Sequence, residues 1–137
     1  MFLYDAALES IIHKEGSSTS VLVVDEPYIQ EMAAMMLNEI GIDDVLTAAD
    51  GIEALEIYQR EMKHIRLVLL DLTMPRMDGE ETFRQLRRMN PDVKVVLSSG
   101  YSKSDVVDRF AGKGLHGFIQ KPYTSEVLQS LVRAVFD

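Results

Sequence analysis

A regular alternation of two residue patterns from Val21 onward limits the possible folds of this chain more than any other feature. Short apolar runs without polar alternation recur five times, which is typical of strands that are buried on both faces. They occupy residues 21–24, 45–46, 67–70, 93–97 and 117–119. A segment with helical periodicity follows each run. Five strands alternating with five helices predict an α/β fold, with a parallel sheet covered by helices on both faces.

Capping residues indicate where the predicted helices begin and end. Asp50 and Glu53 have the spacing of a capping box before the second helix, and Gly41 is a C-cap after the first. The other three helices are predicted to begin near residues 78, 104 and 124. The apolar stripe of the first helix consists of Ile29, Met32, Ala33, Met36, Leu37 and Ile40. That of the last consists of Val127, Leu128, Leu131, Val132 and Val135.

The length of 137 residues suits one domain, preceded by a short segment of different composition. Residues 1–20 are predicted to be an appendage that is partly helical, because Tyr4, Leu8, Ile11 and Ile12 could form one helical stripe. Residues 16–20 are glycine, serine and threonine, a composition typical of a flexible linker. The folded domain is therefore predicted to span residues 21–137.

The composition excludes several classes of function. The chain has 22 acidic and 14 basic residues and a net charge of −8, which argues against nucleic acid or an anionic membrane as a partner. It contains no cysteine, which excludes disulfides, a thiol nucleophile and a cysteine-ligated zinc site. No apolar run approaches the roughly 20 residues of a membrane-spanning helix. We expect a soluble, cytoplasmic protein.

Ionisable side chains follow three of the predicted strands, and a hydroxyl ends a fourth. Asp25 and Glu26 follow the first strand, Asp71 the third and Lys121 the fifth, while Ser99 ends the fourth. Ligands of open parallel sheets bind at the carboxyl ends of the strands. We therefore expect three carboxylates, a hydroxyl and an ammonium group to converge on one edge.

Three close carboxylates repel one another unless a cation joins them, and Mg²⁺ is a hard cation that prefers oxygen ligands. A lysine ammonium is suited to a phosphoryl oxygen. A carboxylate can attack phosphorus to form an aspartyl phosphate, with the metal and the lysine stabilising the charge that develops. This set of residue types therefore indicates phosphoryl transfer to a carboxylate.

Four stretches of the sequence together resemble the receiver domain of two-component response regulators. They read VLVVDEP at 21–27, LLDLTMPRMDG at 69–79, SGY at 99–101 and FIQKPY at 118–123. The resemblance covers residues 21–137. It implies a flavodoxin-like, doubly wound fold with five parallel strands in the order 2-1-3-4-5. The phrases around Ser99 and Lys121 also resemble the receivers of hybrid sensor histidine kinases.

The resemblance implies a role for each residue at the carboxyl edge. Asp71 corresponds to the phosphoacceptor, and Asp25 and Glu26 to the acidic pair that holds Mg²⁺ together with Asp71 and the backbone carbonyl of Thr73. One departure concerns this pair, because two acids precede Pro27 where receivers usually have three. Either Glu26 serves as the second acid, or the site lacks one ligand.

The resemblance also implies the parts of a switch. Ser99 corresponds to the hydroxyl that moves toward the phosphoryl group, and Phe118 to an aromatic side chain that changes rotamer. Lys121 corresponds to the lysine that pairs with the phosphate, with a cis bond to Pro122. The expected consequence is a changed surface over residues 104–137.

The leading hypothesis is a phosphorylation-dependent signalling switch, which modifies itself on Asp71 and is not otherwise an enzyme. Its expected phosphodonor is a histidine kinase or a phosphotransfer protein, which could dock on the outward side chain of Met35. A downstream protein or self-association is expected on the 104–137 surface. An alternative is a pseudo-receiver, an interaction module with little or no phosphorylation. A phosphatase using Asp71 and Thr73 is a third hypothesis, but the chain has no room for the cap that such enzymes need.

Overall fold

The computed structural model of the protein describes residues 20–74 and 76–136, so the predicted helix and linker before residue 20 lie outside the described residues. The five strands are β1 (Ser20–Val24), β2 (Asp44–Ala48), β3 (Ile65–Asp71), β4 (Val95–Ser99) and β5 (Gly117–Gln120). They form one sheet in the order β2-β1-β3-β4-β5, and every neighbouring pair is parallel. This arrangement confirms the predicted flavodoxin-like topology.

The five helices are α1 (Pro27–Asn38), α2 (Gly51–Glu61), α3 (Gly79–Met89), α4 (Lys103–Phe110) and α5 (Ser125–Phe136). The predicted capping box is present, because Asp50 accepts a hydrogen bond of 2.9 Å from the backbone N–H of Glu53. The carboxylate of Glu53 in turn accepts one from the N–H of Ala49. Asp78 caps α3 in the same way, and Gly41 has a φ of 92°, as a glycine at the end of a helix requires.

Some of the predicted elements differ from those of the structure, and β2 and β3 extend beyond the predicted runs at both ends. Strand β1 begins at Ser20, one residue before the predicted start of the domain. Strand β4 begins at Val95 instead of residue 93, because the N–H of Val93 closes a turn onto the carbonyl of Asn90. Val127 is 51% exposed although it belongs to the predicted apolar stripe of α5. Leu128 and Val132, which belong to the same stripe, are buried as predicted.

The sheet separates two hydrophobic cores. Alternate residues of each strand point to opposite faces, so Val21 and Val23 lie in one core and Leu22 and Val24 in the other. The first core is covered by α1 and α5 and is called here the α1/α5 core. The second is covered by α2, α3 and α4 and is called the α2–α4 core. Within the described part of the chain, no helix is long and apolar enough to cross a membrane.

Candidate functional site

On the α1/α5 side of the sheet, the side chains change from apolar to polar at the carboxyl edge. Four neighbouring strands place an apolar residue of the α1/α5 core near their ends: Val23, Leu69, Val96 and Ile119. Two positions further along the chain are Asp25, Asp71, Ser98 and Lys121, of which Asp25 and Lys121 directly follow the last residue of their strands. The alternation of the strands therefore gathers these four polar side chains in one layer above the apolar core.

An ammonium group joins the two aspartates of this layer. The Nζ atom of Lys121 lies 2.9 Å from Oδ1 and 2.8 Å from Oδ2 of Asp25. The same Nζ atom lies 3.3 Å from Oδ1 of Asp71. Asp25 and Asp71 are 2% and 6% exposed. Two buried negative charges thus share one positive charge, which leaves the cluster with a net negative charge.

The environment of Asp71 makes its negative charge costly. Burial and the charge of Asp25 raise the pKa of Asp71 to about 6, although Lys121 and the N–H of Thr73 act in the opposite direction. The N–H of Thr73 lies 3.4 Å from Oδ1 of Asp71. The contacts of the Asp71 carboxylate with other described residues are both to Oδ1, and none is a hydrogen bond to Oδ2. One carboxylate oxygen of Asp71 is therefore free to react at the edge of the sheet.

Lys121 remains an ammonium group in this setting. Burial alone would lower the pKa of Lys121, but the hydrogen bond and charge of Asp25 and the charge of Asp71 outweigh it, so the pKa is raised. The peptide bond from Lys121 to Pro122 is cis, as the resemblance implied. Lys121 can therefore stabilise negative charge that develops beside Asp71.

The structure brings together two of the three carboxylates that were expected to converge. Glu26 is exposed at the N-cap of α1, where its carboxylate raises the pKa of the Tyr28 hydroxyl through a hydrogen bond and its charge. In residues 20–74 and 76–136, no cluster of three acidic or histidine side chains could hold a metal ion. The backbone N–H of Glu26 instead donates to Oδ1 of Asp25 over 2.8 Å.

The donor set at the edge nevertheless fits Mg²⁺. This ion is usually held in proteins by one or two carboxylates together with waters and phosphate oxygens, so a third carboxylate is not required. Asp25 and Asp71 supply two carboxylates that carry one charge more than Lys121 neutralises. The backbone carbonyl of Thr73 follows Asp71 by two residues, on the same loop.

The loop between β3 and α3 is held in place by contacts that the sequence analysis did not identify. Arg76 has a φ of 65°, which is uncommon for a residue with a side chain. Its Nε and Nη2 atoms lie 2.7 and 2.6 Å from Oδ2 of Asp50, the residue that caps α2. This ion pair joins residues 26 positions apart, and no local sequence pattern predicts it.

Gly79 allows a close approach of α3 to the residues around Asp71. A Cβ atom on Gly79 would lie 2.5 Å from the carbonyl oxygen of Asp71 and 2.6 Å from Cα of Leu72. The N–H of Gly79 also donates to the carbonyl of Leu72 over 2.8 Å. The absence of a side chain at this position thus fixes the path of the chain just after Asp71.

The predicted switch residues lie on the other side of the sheet. Ser99 follows Leu97 by two positions and shares its α2–α4 face, and its Oγ atom accepts a hydrogen bond of 2.9 Å from the N–H of Tyr101. Phe118 is half-buried and packs against the α2–α4 core. The side chains of Ser98 and Ser99, adjacent in sequence, therefore face opposite cores.

Comparison with known proteins identifies the family. The family model of the response regulator receiver domain matches residues 21–133. The sensor kinase CckA of Brucella abortus is 32% identical to this chain over 96% of the chain. The chemotaxis protein CheY of Treponema pallidum is 31% identical over 78% of the chain. Among solved structures, the chain superimposes with a TM-score of 0.81 on the CheX–CheY–BeF₃–Mg²⁺ complex from Borrelia burgdorferi, at 30% identity over 91% of this chain and 94% of that one.

The chain belongs to the receiver domain family of response regulators, whose members are phosphorylation-dependent signalling switches rather than classical enzymes. It spans 14% of the length of CckA and 75% of the length of the Treponema CheY. Neither the fold nor the relatives favour the pseudo-receiver alternative.

Proposed function

We propose that this domain accepts a phosphoryl group on Asp71, with Mg²⁺ as cofactor, from a histidine kinase or a phosphotransfer protein. The observation that carries the proposal is the arrangement around Asp71, which is buried beside Asp25 and Lys121 and yet has an oxygen with no donor among the described residues. The similar CheX–CheY–BeF₃–Mg²⁺ complex from Borrelia burgdorferi contains this ion, which supports the choice of cofactor.

In the proposed step, an oxygen of Asp71 attacks phosphorus. The O–P bond forms as the N–P bond of a phosphohistidine donor breaks, and the electron pair stays on the imidazole nitrogen, which takes a proton from solvent. The attacking carboxylate must be ionised. With a pKa of about 6, most Asp71 side chains are ionised at pH 7 and above.

The residues that would hold Mg²⁺ are Asp25 and Asp71 through their carboxylates and Thr73 through its backbone carbonyl. When bound, the ion supplies positive charge to the phosphoryl oxygens during transfer. The ammonium group of Lys121 supplies a second positive charge. Its contacts with Asp25 and Asp71 hold it in position. Glu26 is exposed and remains a candidate outer ligand.

The acceptor assignment is tested with acetyl phosphate and Mg²⁺, followed by intact-protein mass spectrometry. We expect one added phosphoryl group on the wild type and none on Asp71→Asn. Asp78→Asn is the matched control, because it changes an acid in the same loop and asparagine caps a helix as well as aspartate does. Labelling of Asp71→Asn at the wild-type level would contradict the assignment.

The proposed response uses Ser99 and Phe118. A phosphorylated Asp71 carries more negative charge than a carboxylate and is a stronger acceptor for the hydroxyl of Ser99. The hydroxyl would leave its bond with the N–H of Tyr101, and the ring of Phe118 could turn into the vacated space. Phe118 also lines a groove of about 490 Å³ with Val127 and Leu131, on the 104–137 surface proposed for a downstream partner or a second copy.

The proposed docking site for the phosphodonor is the exposed side of α1 near the acidic edge. Met35 is 68% exposed there and does not belong to either core. We expect Met35→Glu to slow phosphotransfer from a protein donor at least several-fold and to leave labelling by acetyl phosphate unchanged. Rates with the two donors, measured on the same preparation, check this. Equal slowing with both would instead indicate a damaged acceptor site.

A further inference from the structure

Two buried hydroxyls at the carboxyl edge have no hydrogen-bond partner in the structure. The Oγ atom of Ser98 and the hydroxyl of Tyr123 are both inaccessible to solvent and unpaired. Ser98 is completely buried, and Tyr123 is 7% exposed. Buried polar groups in native proteins nearly always have a hydrogen-bond partner, so these two exceptions call for an explanation.

Both hydroxyls belong to the layer that contains the two aspartates. Ser98 is the direct register partner of Asp71 in the β3–β4 pair, and both side chains lie on the α1/α5 side of the sheet. Side chains in register on neighbouring strands lie side by side, about 5 Å apart. Tyr123 follows Lys121 by two residues and packs in the same core. Ser98 and Tyr123 therefore flank the cluster of Asp25, Asp71 and Lys121.

Electrostatics connect the Tyr123 hydroxyl to this cluster. Burial raises the pKa of Tyr123 to about 12, and the charges of Asp25 and Asp71 act in the same direction. The hydroxyl therefore keeps its proton and can donate it to a carboxylate, and the two carboxylates whose charges act on it are acceptors. The neutral side chain of Ser98 can also donate, because a serine rotates among three staggered positions about one bond.

We propose that Ser98 and Tyr123 are positioning residues, whose hydroxyls donate hydrogen bonds to the carboxylates of Asp25 and Asp71 when these turn toward a bound cation, and so hold them in that orientation. The inference rests on the proposed function, because it assumes that these carboxylates hold Mg²⁺. Ligating carboxylates in metal sites are commonly hydrogen-bonded by such outer groups. This role separates the two serines at the end of β4, since Ser98 serves the acidic pair and Ser99 the switch on the opposite face.

The test measures Mg²⁺ binding by calorimetry and thermal melting in EDTA on the full chain. We expect Tyr123→Phe to weaken Mg²⁺ binding about tenfold, with a smaller loss for Ser98→Ala. In EDTA neither variant should melt below the wild type, because a hydroxyl without a partner contributes no bond there. The losses of the double variant should not add, because both hydroxyls act on the same carboxylates.

Matched controls remove a buried hydroxyl far from the site. Tyr58→Phe removes a hydroxyl that is bonded to Asn90, and Ser20→Ala removes one that is bonded to Asp44 at the other end of β1. Both should bind Mg²⁺ with wild-type affinity.

Two results would overturn the inference, and they are distinguishable. If the wild type binds Mg²⁺ and Tyr123→Phe binds it equally well, the hydroxyl does not orient the carboxylates and the positioning role is wrong. If the wild type does not bind millimolar Mg²⁺, the proposed cation site fails, and the inference fails with it.

Discussion

At the scale of the residue, burial and the charge of Asp25 destabilise the ionised form of Asp71, and Lys121 only partly offsets this effect. The carboxylate of Asp71 lies beside a second buried carboxylate, and one ammonium group serves both. A better-neutralised aspartate would be more stable but a weaker nucleophile. The protein therefore keeps a destabilising charge at the residue that we propose attacks phosphorus, as functional sites often do.

The first prediction concerns the pH dependence of stability. The pKa of Asp71 is about 6 in the folded protein, above the ordinary aspartate value of 3.8, so the folded state binds more protons between these two pH values. The contribution of Asp71 is favourable at low pH and is lost as pH rises through about 6. We therefore expect Asp71→Asn to be more stable than the wild type at pH 7.5, by about 1–3 kcal/mol.

The difference should disappear near pH 4, where the wild-type carboxyl is protonated in the folded protein. Urea denaturation between pH 4 and pH 8 measures it. Asp108→Asn, an exposed residue on α4, is the control and should stay within about 0.5 kcal/mol of the wild type throughout. A constant offset for Asp71→Asn at all pH values would show that its charge is not the cause.

At the scale of the element, the sequence carries clear signals for the ends of the helices. Asp50 and Asp78 each precede a helix by one residue and accept a hydrogen bond from the N–H three residues later. These bonds satisfy backbone donors that the helix itself leaves unpaired. The same residues position the site, because α2 and α3 border the loop that follows Asp71.

The first residue of α3, Gly79, packs directly against the backbone of Asp71 and Leu72. An added methyl group would collide with backbone atoms of Asp71 and Leu72, which cannot move without displacing the acceptor. We expect Gly79→Ala to lower the free energy of unfolding by about 1–3 kcal/mol and to slow labelling by acetyl phosphate.

Gly100→Ala is the matched control, because a Cβ atom there has nothing within 4 Å. It should be neutral within about 0.5 kcal/mol. Urea denaturation measures the free energy of unfolding of both variants, and mass spectrometry measures their rates of labelling by acetyl phosphate. If Gly79→Ala has wild-type stability and labelling, the path of the chain after Asp71 tolerates a shift.

At the scale of the whole molecule, the sheet divides the proposed functions between its two sides. Alternation along the strands places Asp25, Asp71, Ser98 and Lys121 above the α1/α5 core and Ser99 and Phe118 on the side of the α2–α4 core. In the proposed switch, a signal from Asp71 would therefore have to pass around the end of β4 to reach Phe118. Ser99 is the last residue of that strand and is the residue that we propose carries it.

This arrangement predicts the response to the phosphoryl mimic beryllofluoride in the presence of Mg²⁺. We expect the amide signals of Tyr101 and residues 104–123 to shift in NMR spectra, because the Ser99 hydroxyl leaves the N–H of Tyr101. The mimic should bias an existing equilibrium between two packings. Ser99→Ala should bind the mimic and lose the distant shifts. Shifts that stay near Asp71 in the wild type would contradict the coupling.

The sequence was sufficient to predict the elements, their order and the edge of the sheet that carries the site. Apolar runs and helical periods are local properties, and the strict alternation permits few topologies. The strand order and the roles of Asp25, Asp71 and Lys121 came from the resemblance to receivers. The structure confirms the order and brings these three side chains together.

Other features depended on the tertiary structure because they join residues far apart in sequence. The contact of Lys121 with Asp25 spans 96 residues and that of Arg76 with Asp50 spans 26. The exposure of Glu26 and Val127 depends on where α1 and α5 come to rest against the sheet, which no local pattern specifies. The unpaired hydroxyls of Ser98 and Tyr123 likewise become apparent only once neighbouring strands and α5 have closed around them.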